Sequence, residues 1–149
     1  MKFIQSDRIL HIIFNDKSDL TEIIAIADRY EGKIKQRQGF NFPMNMVRDF
    51  LGKHCAHSLF TKYLHSVDYV IAYKDGDILT KKHELQHAKY FCDRSFADRV
   101  HALWESFPSA YQKKTTTMLL KMGYPADKIM DEFQAYYFTE KPSFFGKVA

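Results

Sequence analysis

The sequence contains little cysteine and no long apolar run, and both shortages narrow the class of protein. Its two cysteines, Cys55 and Cys92, form no CxxC pair, which argues against a disulfide scaffold or a zinc ribbon and predicts two small buried groups. No apolar stretch approaches the roughly 18 residues that span a bilayer, so no membrane partner is expected. The first residues lack the pattern of a signal peptide. These features predict a soluble, cytoplasmic protein.

Positive charge is not concentrated in any one segment. The net charge of +4 comes from 22 basic and 18 acidic residues that are scattered along the chain. A surface that binds nucleic acid usually clusters its basic residues in one patch or stripe, so nucleic acid is not expected as a partner. Repeats, low-complexity segments and linkers are also lacking, and 149 residues suit one domain. Residues 1–149 are therefore predicted to form a single domain.

The order of apolar patterns predicts an α+β fold with a small mixed sheet and a helical C-terminal half. Residues 8–14 and 67–73 are rich in β-branched and aromatic residues, which favour strands. Residues 33–45 contain Gly39 and Pro43 and are predicted as a loop with at most a short strand. The remaining segments have helical spacing or helix boundary residues. Helices are expected over 18–32, over 46–66 with a break near Gly52, from Thr80 to about Cys92, from Phe96 to about Ser106, from Pro108 to Gly123, and from Pro125 onward.

The segment "HELQH", residues 83–87, carries the strongest chemical signal in the chain. In a helix, residues four apart lie on one face, so His83 and His87 present their imidazoles to a single point. Two ligands of a tetrahedral zinc site follow from that spacing. Glu84 lies beside the pair, where it can take a proton from water without being a ligand. The alternative is two ordinary surface histidines, but a chain with 7 histidines in 149 residues contains this motif by chance in only about 1% of cases.

The local form "HELQHAKYF" resembles the zincins, which are HExxH metallopeptidases that bind Zn²⁺. The resemblance implies hydrolysis of peptide bonds in a peptide or protein substrate. It also implies an edge strand just before the motif helix, antiparallel to the bound peptide, and residues 67–73 are similarly placed. The expected fold is therefore a single zincin-like domain.

A catalytic zinc site needs a third protein ligand, and the resemblance points to Glu132. Residues 132–138, "EFQAYYF", resemble the E-F-x-A-x-x-F pattern of the lethal-factor-like gluzincins, in which the glutamate is that ligand. Ala135 would let this helix pack closely against the motif helix. The resemblance also implies that a tyrosine shortly before the glutamate donates a hydrogen bond to the oxyanion, and Tyr124 holds the comparable position, with Tyr136 and Tyr137 as substitutes.

The sequence departs from the gluzincin pattern in one respect, and it leaves a second ligand open. Many gluzincins have an acidic residue four positions after the ligand glutamate to orient a histidine. That position is Tyr136 here, which leaves Asp131 or a backbone carbonyl for the task. The second candidate for third ligand is His101, because SprT-like proteases, which act on DNA-bound proteins, have a third histidine a little over a dozen residues after the motif.

The favoured interpretation is a gluzincin-like zinc metallopeptidase with ligands His83, His87 and Glu132, general base Glu84 and oxyanion donor Tyr124. Two alternatives remain open. One is a catalytically inactive zincin-fold module that binds a partner, and the other is a SprT-like, DNA-associated protease that uses His101.

Overall fold

The computed structural model describes residues 1–34, 36–54 and 58–148, and this part of the chain contains four strands and six α-helices. The strands lie before residue 75 and four of the six helices follow it, which confirms the predicted α+β class and the helical C-terminal half. The bounds are β1 Lys2–Ser6, β2 Ile9–Phe14, α1 Thr21–Glu31, β3 Phe40–Pro43, α2 Met44–His54, β4 Tyr69–Lys74, α3 Ile78–Cys92, α4 Arg94–Ser106, α5 Ser109–Lys121 and α6 Ile129–Thr139. No helix in these ranges is long and apolar enough to cross a membrane.

The four strands form one mixed sheet in the order β1-β2-β4-β3. β1 and β2 are an antiparallel hairpin, β2 and β4 are parallel, and β3 runs antiparallel to β4. The expectation that residues 67–73 form an edge strand is therefore wrong, because β4 lies inside the sheet and the short strand β3 is the edge. The segment 33–45, predicted as a loop with at most a short strand, contains β3, and Pro43 ends this strand at the sheet edge, where a proline costs little.

The sheet is covered on both faces at β4 and β3, whereas β1 at the other edge is largely exposed. On one face, apolar side chains of β2, β3 and β4 pack against α1 and α2 in the main core, which includes Leu10, Phe42 and Ile23. On the other face, Ile71 and Tyr73 of β4 pack with Ala88 of α3. A separate aromatic core holds the C-terminal helices together, with Phe133 of α6 at its centre. Helix α3, which carries "HELQH", therefore lies between the sheet and the C-terminal helices.

Three local expectations need correction. Helix α2 continues through Gly52 without the expected break. Helix α3 is capped by Asp77 rather than by Thr80, because the Asp77 carboxylate accepts a 3.0 Å hydrogen bond from the Thr80 backbone N–H. Cys92 is exposed rather than buried. Cys55, the other cysteine expected in the interior, lies outside the described residues.

Candidate metal centre

Helix α3 brings the two motif histidines together on one face, as the spacing predicts. The Nε2 atoms of His83 and His87 lie 3.3 Å apart, and the ring centroids are separated by 5.0 Å. Both nitrogens therefore point to the same place. His87 is almost completely buried, whereas His83 retains some contact with the cleft.

Glu132 of α6 completes the group. Its carboxylate oxygens lie 3.1 Å from His87 Nε2 and 3.6 Å from His83 Nε2. One ligand atom from each of the three residues lies within 4.8 Å of the others, so the group could hold a metal ion. The approach of α6 to α3 is fixed by Gln134, whose amide donates a 3.1 Å hydrogen bond to the Gln86 carbonyl on α3, and Ala135 is fully buried.

His101 does not belong to this centre. Its Nε2 lies 2.8 Å from the Tyr90 hydroxyl on an exposed surface of α4. Among the side chains that the structure describes, those of residues 1–34, 36–52 and 58–148, the single cluster of three or more metal-binding groups is His83, His87 and Glu132. The geometry therefore favours Glu132 over His101 as the third ligand.

Asp131 is the partner that orients His87. Its Oδ1 lies 2.8 Å from His87 Nδ1 and also accepts a hydrogen bond of 3.0 Å from the Gln134 amide. An ionised carboxylate can only accept, so it holds the proton on Nδ1 and leaves Nε2 free to bind a metal. Sequence reasoning had left this choice open between Asp131 and a backbone carbonyl.

The charged groups of the cluster shift one another's pKa values. Burial lowers the pKa of His87, but the carboxylates of Asp131 and Glu132 outweigh burial and raise this pKa well above its usual value. Burial also raises the pKa of Glu132, and the two histidines reverse that effect and lower it. Positive charge on His87 and negative charge on Glu132 thus stabilise each other.

Glu84 is next to the cluster of His83, His87 and Glu132 but is held separately. It is 4% exposed, and its Oε2 accepts a 2.9 Å hydrogen bond from the side-chain amide of Asn41 on β3. The Asn41 oxygen in turn accepts a 2.6 Å bond from the Tyr69 hydroxyl on β4. Burial raises the pKa of Glu84, an effect that His83 and His87 reduce. Sequence reasoning missed Asn41 and Tyr69, although a polar residue between Phe40 and Phe42 in a strand was an available signal.

Gly39 is required because the backbone passes directly over Glu84. A Cβ atom at position 39 would lie 2.6 Å from Glu84 Oε1 and 2.6 Å from Thr80 Cγ2. We expect Gly39→Ala to lower the free energy of unfolding by about 1–3 kcal/mol, as overpacking usually does, and to displace the Glu84 carboxylate. Urea unfolding measures this.

The control is Gly52→Ala, because no atom in the described part of the chain lies within 4 Å of a Cβ atom there and the residue lies in helix α2. Alanine should stabilise this helix by roughly 0.5–1 kcal/mol. Equal effects of the two substitutions would contradict the close approach at Gly39.

Tyr124, the expected oxyanion donor, lines the same cleft. Its hydroxyl is 2.9 Å from the Tyr136 hydroxyl, and the Tyr136 ring packs at 4.5 Å from the His83 ring. Burial raises the pKa of Tyr124, and it raises that of Tyr136 to about 12, so both phenols stay protonated and can donate hydrogen bonds. Tyr137 instead packs on Phe133 in the aromatic core.

The centre opens into a cleft with a volume of about 510 Å³. One wall is formed by residues 36–39, before the edge strand, and another by the end of α5 and the following turn. Among the charged residues of the lining that sequence reasoning missed are Glu31 and Arg37. Burial, followed by the charge of Glu132, raises the pKa of Glu31 to about 8. In the sequence Glu31 is indistinguishable from an ordinary glutamate at the end of an amphipathic helix.

The chain matches no known protein family, no curated protein and no solved structure in the three comparisons made. The "HELQH" motif and the geometry of the site are therefore the basis for assigning a function.

Proposed function

We propose that this protein is a zinc metallopeptidase that hydrolyses peptide bonds. The observation that carries the proposal is the group of His83, His87 and Glu132 in an open cleft, with the buried carboxyl of Glu84 beside it and outside the ligand set. The gluzincin type follows from Glu132 as third ligand.

The donor set fits Zn²⁺. Two imidazole nitrogens and one carboxylate oxygen are the ligands of several catalytic zinc sites, and three protein ligands leave one position for water or substrate. A similar donor set holds iron in some oxygenases. Glu84 distinguishes the two cases, because hydrolysis needs a proton acceptor beside the metal and a carboxyl with a raised pKa serves that purpose.

The residues around the site have separable tasks in hydrolysis. Bound zinc would supply a lowered pKa for water and polarisation of the scissile carbonyl. Glu84 accepts a proton from the attacking water and returns it to the leaving amine, while Asn41 keeps its carboxylate in place through their 2.9 Å hydrogen bond. Tyr124 donates a hydrogen bond to the carbonyl oxygen as negative charge develops there.

The geometry of the site speaks against one of the two alternative functions and does not distinguish the other from an enzyme. A SprT-like, DNA-associated protease depended on His101, which bonds Tyr90 away from the cluster. A catalytically inactive module that binds a partner in the same cleft differs from an enzyme only by its lack of turnover, so experiment separates them directly.

The test combines metal analysis with a cleavage assay. Freshly purified protein should contain one zinc per chain, and it should cleave members of a diverse peptide library. A chelator should abolish cleavage, and added Zn²⁺ should restore it. Metal content near zero that Zn²⁺ cannot raise would contradict the metal centre. One zinc per chain without any cleavage would favour the binding module.

A further inference from the structure

The buried carboxyl of Glu31 has no task in the proposed hydrolysis. It is the last residue of α1, it lines the cleft, and it is 5% exposed. Within the described ranges no group donates a hydrogen bond to it, and its one ion pair is a 3.4 Å contact with Arg37. A buried acid with so little compensation is costly to keep unless a ligand completes it.

Arg37 does not neutralise Glu31 alone. Its guanidinium lies closer to other acceptors, at 2.9 Å from the Asp28 carboxylate and 2.6 Å from the Gly32 carbonyl. One positive charge therefore serves two carboxylates, Asp28 and Glu31. Among the residues that the structure describes, the Glu31 carboxyl therefore has no cation of its own.

The other carboxyls of the cleft either have a task in the proposed hydrolysis or are exposed to solvent. Glu132 is a proposed metal ligand and Glu84 the proposed proton acceptor. Lys121 and Glu140 also line the cleft, but both are exposed, so water screens their charges. Glu31 is thus the buried carboxyl of the cleft that is left for a substrate.

We propose that Glu31 is a specificity-determining residue that binds a positively charged nitrogen of the substrate, supplied by a lysine or arginine side chain or by the N-terminal ammonium. This inference rests on the proposed peptidase function and names the substrate class of the same cleft. The cation would bind against the Glu31 carboxyl, whose burial strengthens the Coulomb attraction between them. A hydrogen bond between charged groups in such a site discriminates well against uncharged analogues.

The test starts from a library peptide that the zinc-loaded protein cleaves. Two residues before the cleaved bond and two residues after it are replaced, one at a time, by lysine, by uncharged norleucine and by glutamate. Each peptide is made with a free and with an acetylated N-terminus. At one position, kcat/KM should be at least about tenfold higher for lysine than for norleucine. If the ammonium is the ligand, acetylation should instead lower kcat/KM by a similar factor.

In Glu31→Gln, the ratio of kcat/KM between the charged and the uncharged peptide should fall close to one. Glu105→Gln should leave this ratio unchanged, because Glu105 is an exposed carboxylate on α4. Thermal melting checks that both variants fold. A preference that survives in Glu31→Gln, or wild-type protein that responds to neither lysine nor acetylation, overturns the inference. A preference for glutamate would assign recognition to Arg37 and also overturns it. Two metal ions per chain, with one lost in Glu31→Gln, would make Glu31 a metal ligand instead.

A binding measurement keeps this inference separate from the peptidase proposal. The zinc-loaded Glu84→Gln protein should bind a fluorescent lysine peptide more tightly than its norleucine counterpart, and the double variant with Glu31→Gln should not. Selective binding without cleavage by the wild type would remove the peptidase function and keep the role of Glu31. Cleavage without any selectivity would keep the peptidase function and remove the role of Glu31.

Discussion

Glu84→Gln is expected to retain the fold and one zinc per chain while losing peptidase activity by about 10²- to 10⁴-fold. The side chains have nearly the same shape, and the amide oxygen can still accept the hydrogen bond from Asn41. The variant lacks only the group that accepts a proton. Activity is measured as kcat/KM on a peptide that the wild type cleaves, and zinc is measured by elemental analysis of the same samples.

The interpretation of this variant depends on two controls. Glu105→Gln removes an exposed carboxylate on α4 and should leave activity and zinc unchanged. Thermal melting should show that Glu84→Gln folds, because the substitution removes a buried carboxyl whose charged form is disfavoured by burial. Loss of zinc in the folded variant would make Glu84 a ligand. Unchanged activity would mean that another group accepts the proton.

Removal of the third ligand should have the largest effect on metal affinity. Glu132→Ala leaves only His83 and His87, which cannot close a site, so we expect stoichiometric zinc binding and activity to be lost. Asp131→Asn keeps all three ligands and disturbs only the group that orients His87, so zinc affinity should fall by about 10- to 100-fold. Competition with a chromogenic chelator measures both.

His101→Ala is the matched control for a histidine outside the centre. It loses an exposed hydrogen bond with Tyr90, so zinc affinity and activity should remain near wild-type values. Circular dichroism must show that Glu132→Ala is folded, because α6 packs on α3 and misfolding would mimic ligand loss. A folded Glu132→Ala protein that holds zinc as tightly as the wild type would remove Glu132 from the site. Zinc loss in His101→Ala would restore the SprT-like assignment.

Local geometry made the motif helix predictable. The pairing of His83 with His87 depends only on residues four apart in one helix, and the strand before it depends on a dense run of strand-forming residues. Glu132 was placed by a resemblance in sequence rather than by spacing, because 45 residues separate it from His87. The cluster in the structure supports that placement.

The sequence by itself determined the α+β class, the motif helix and the residue types that could bind a metal, since these follow from short-range periodicity. Only the tertiary structure decided that β4 lies inside the sheet and that β3 supplies Asn41 to Glu84. It also decided that Asp131 orients His87 and that Glu31 lies in the cleft. These contacts join residues far apart in the chain, and nothing in the local pattern of a short strand or a helix end reveals which distant side chain it will meet.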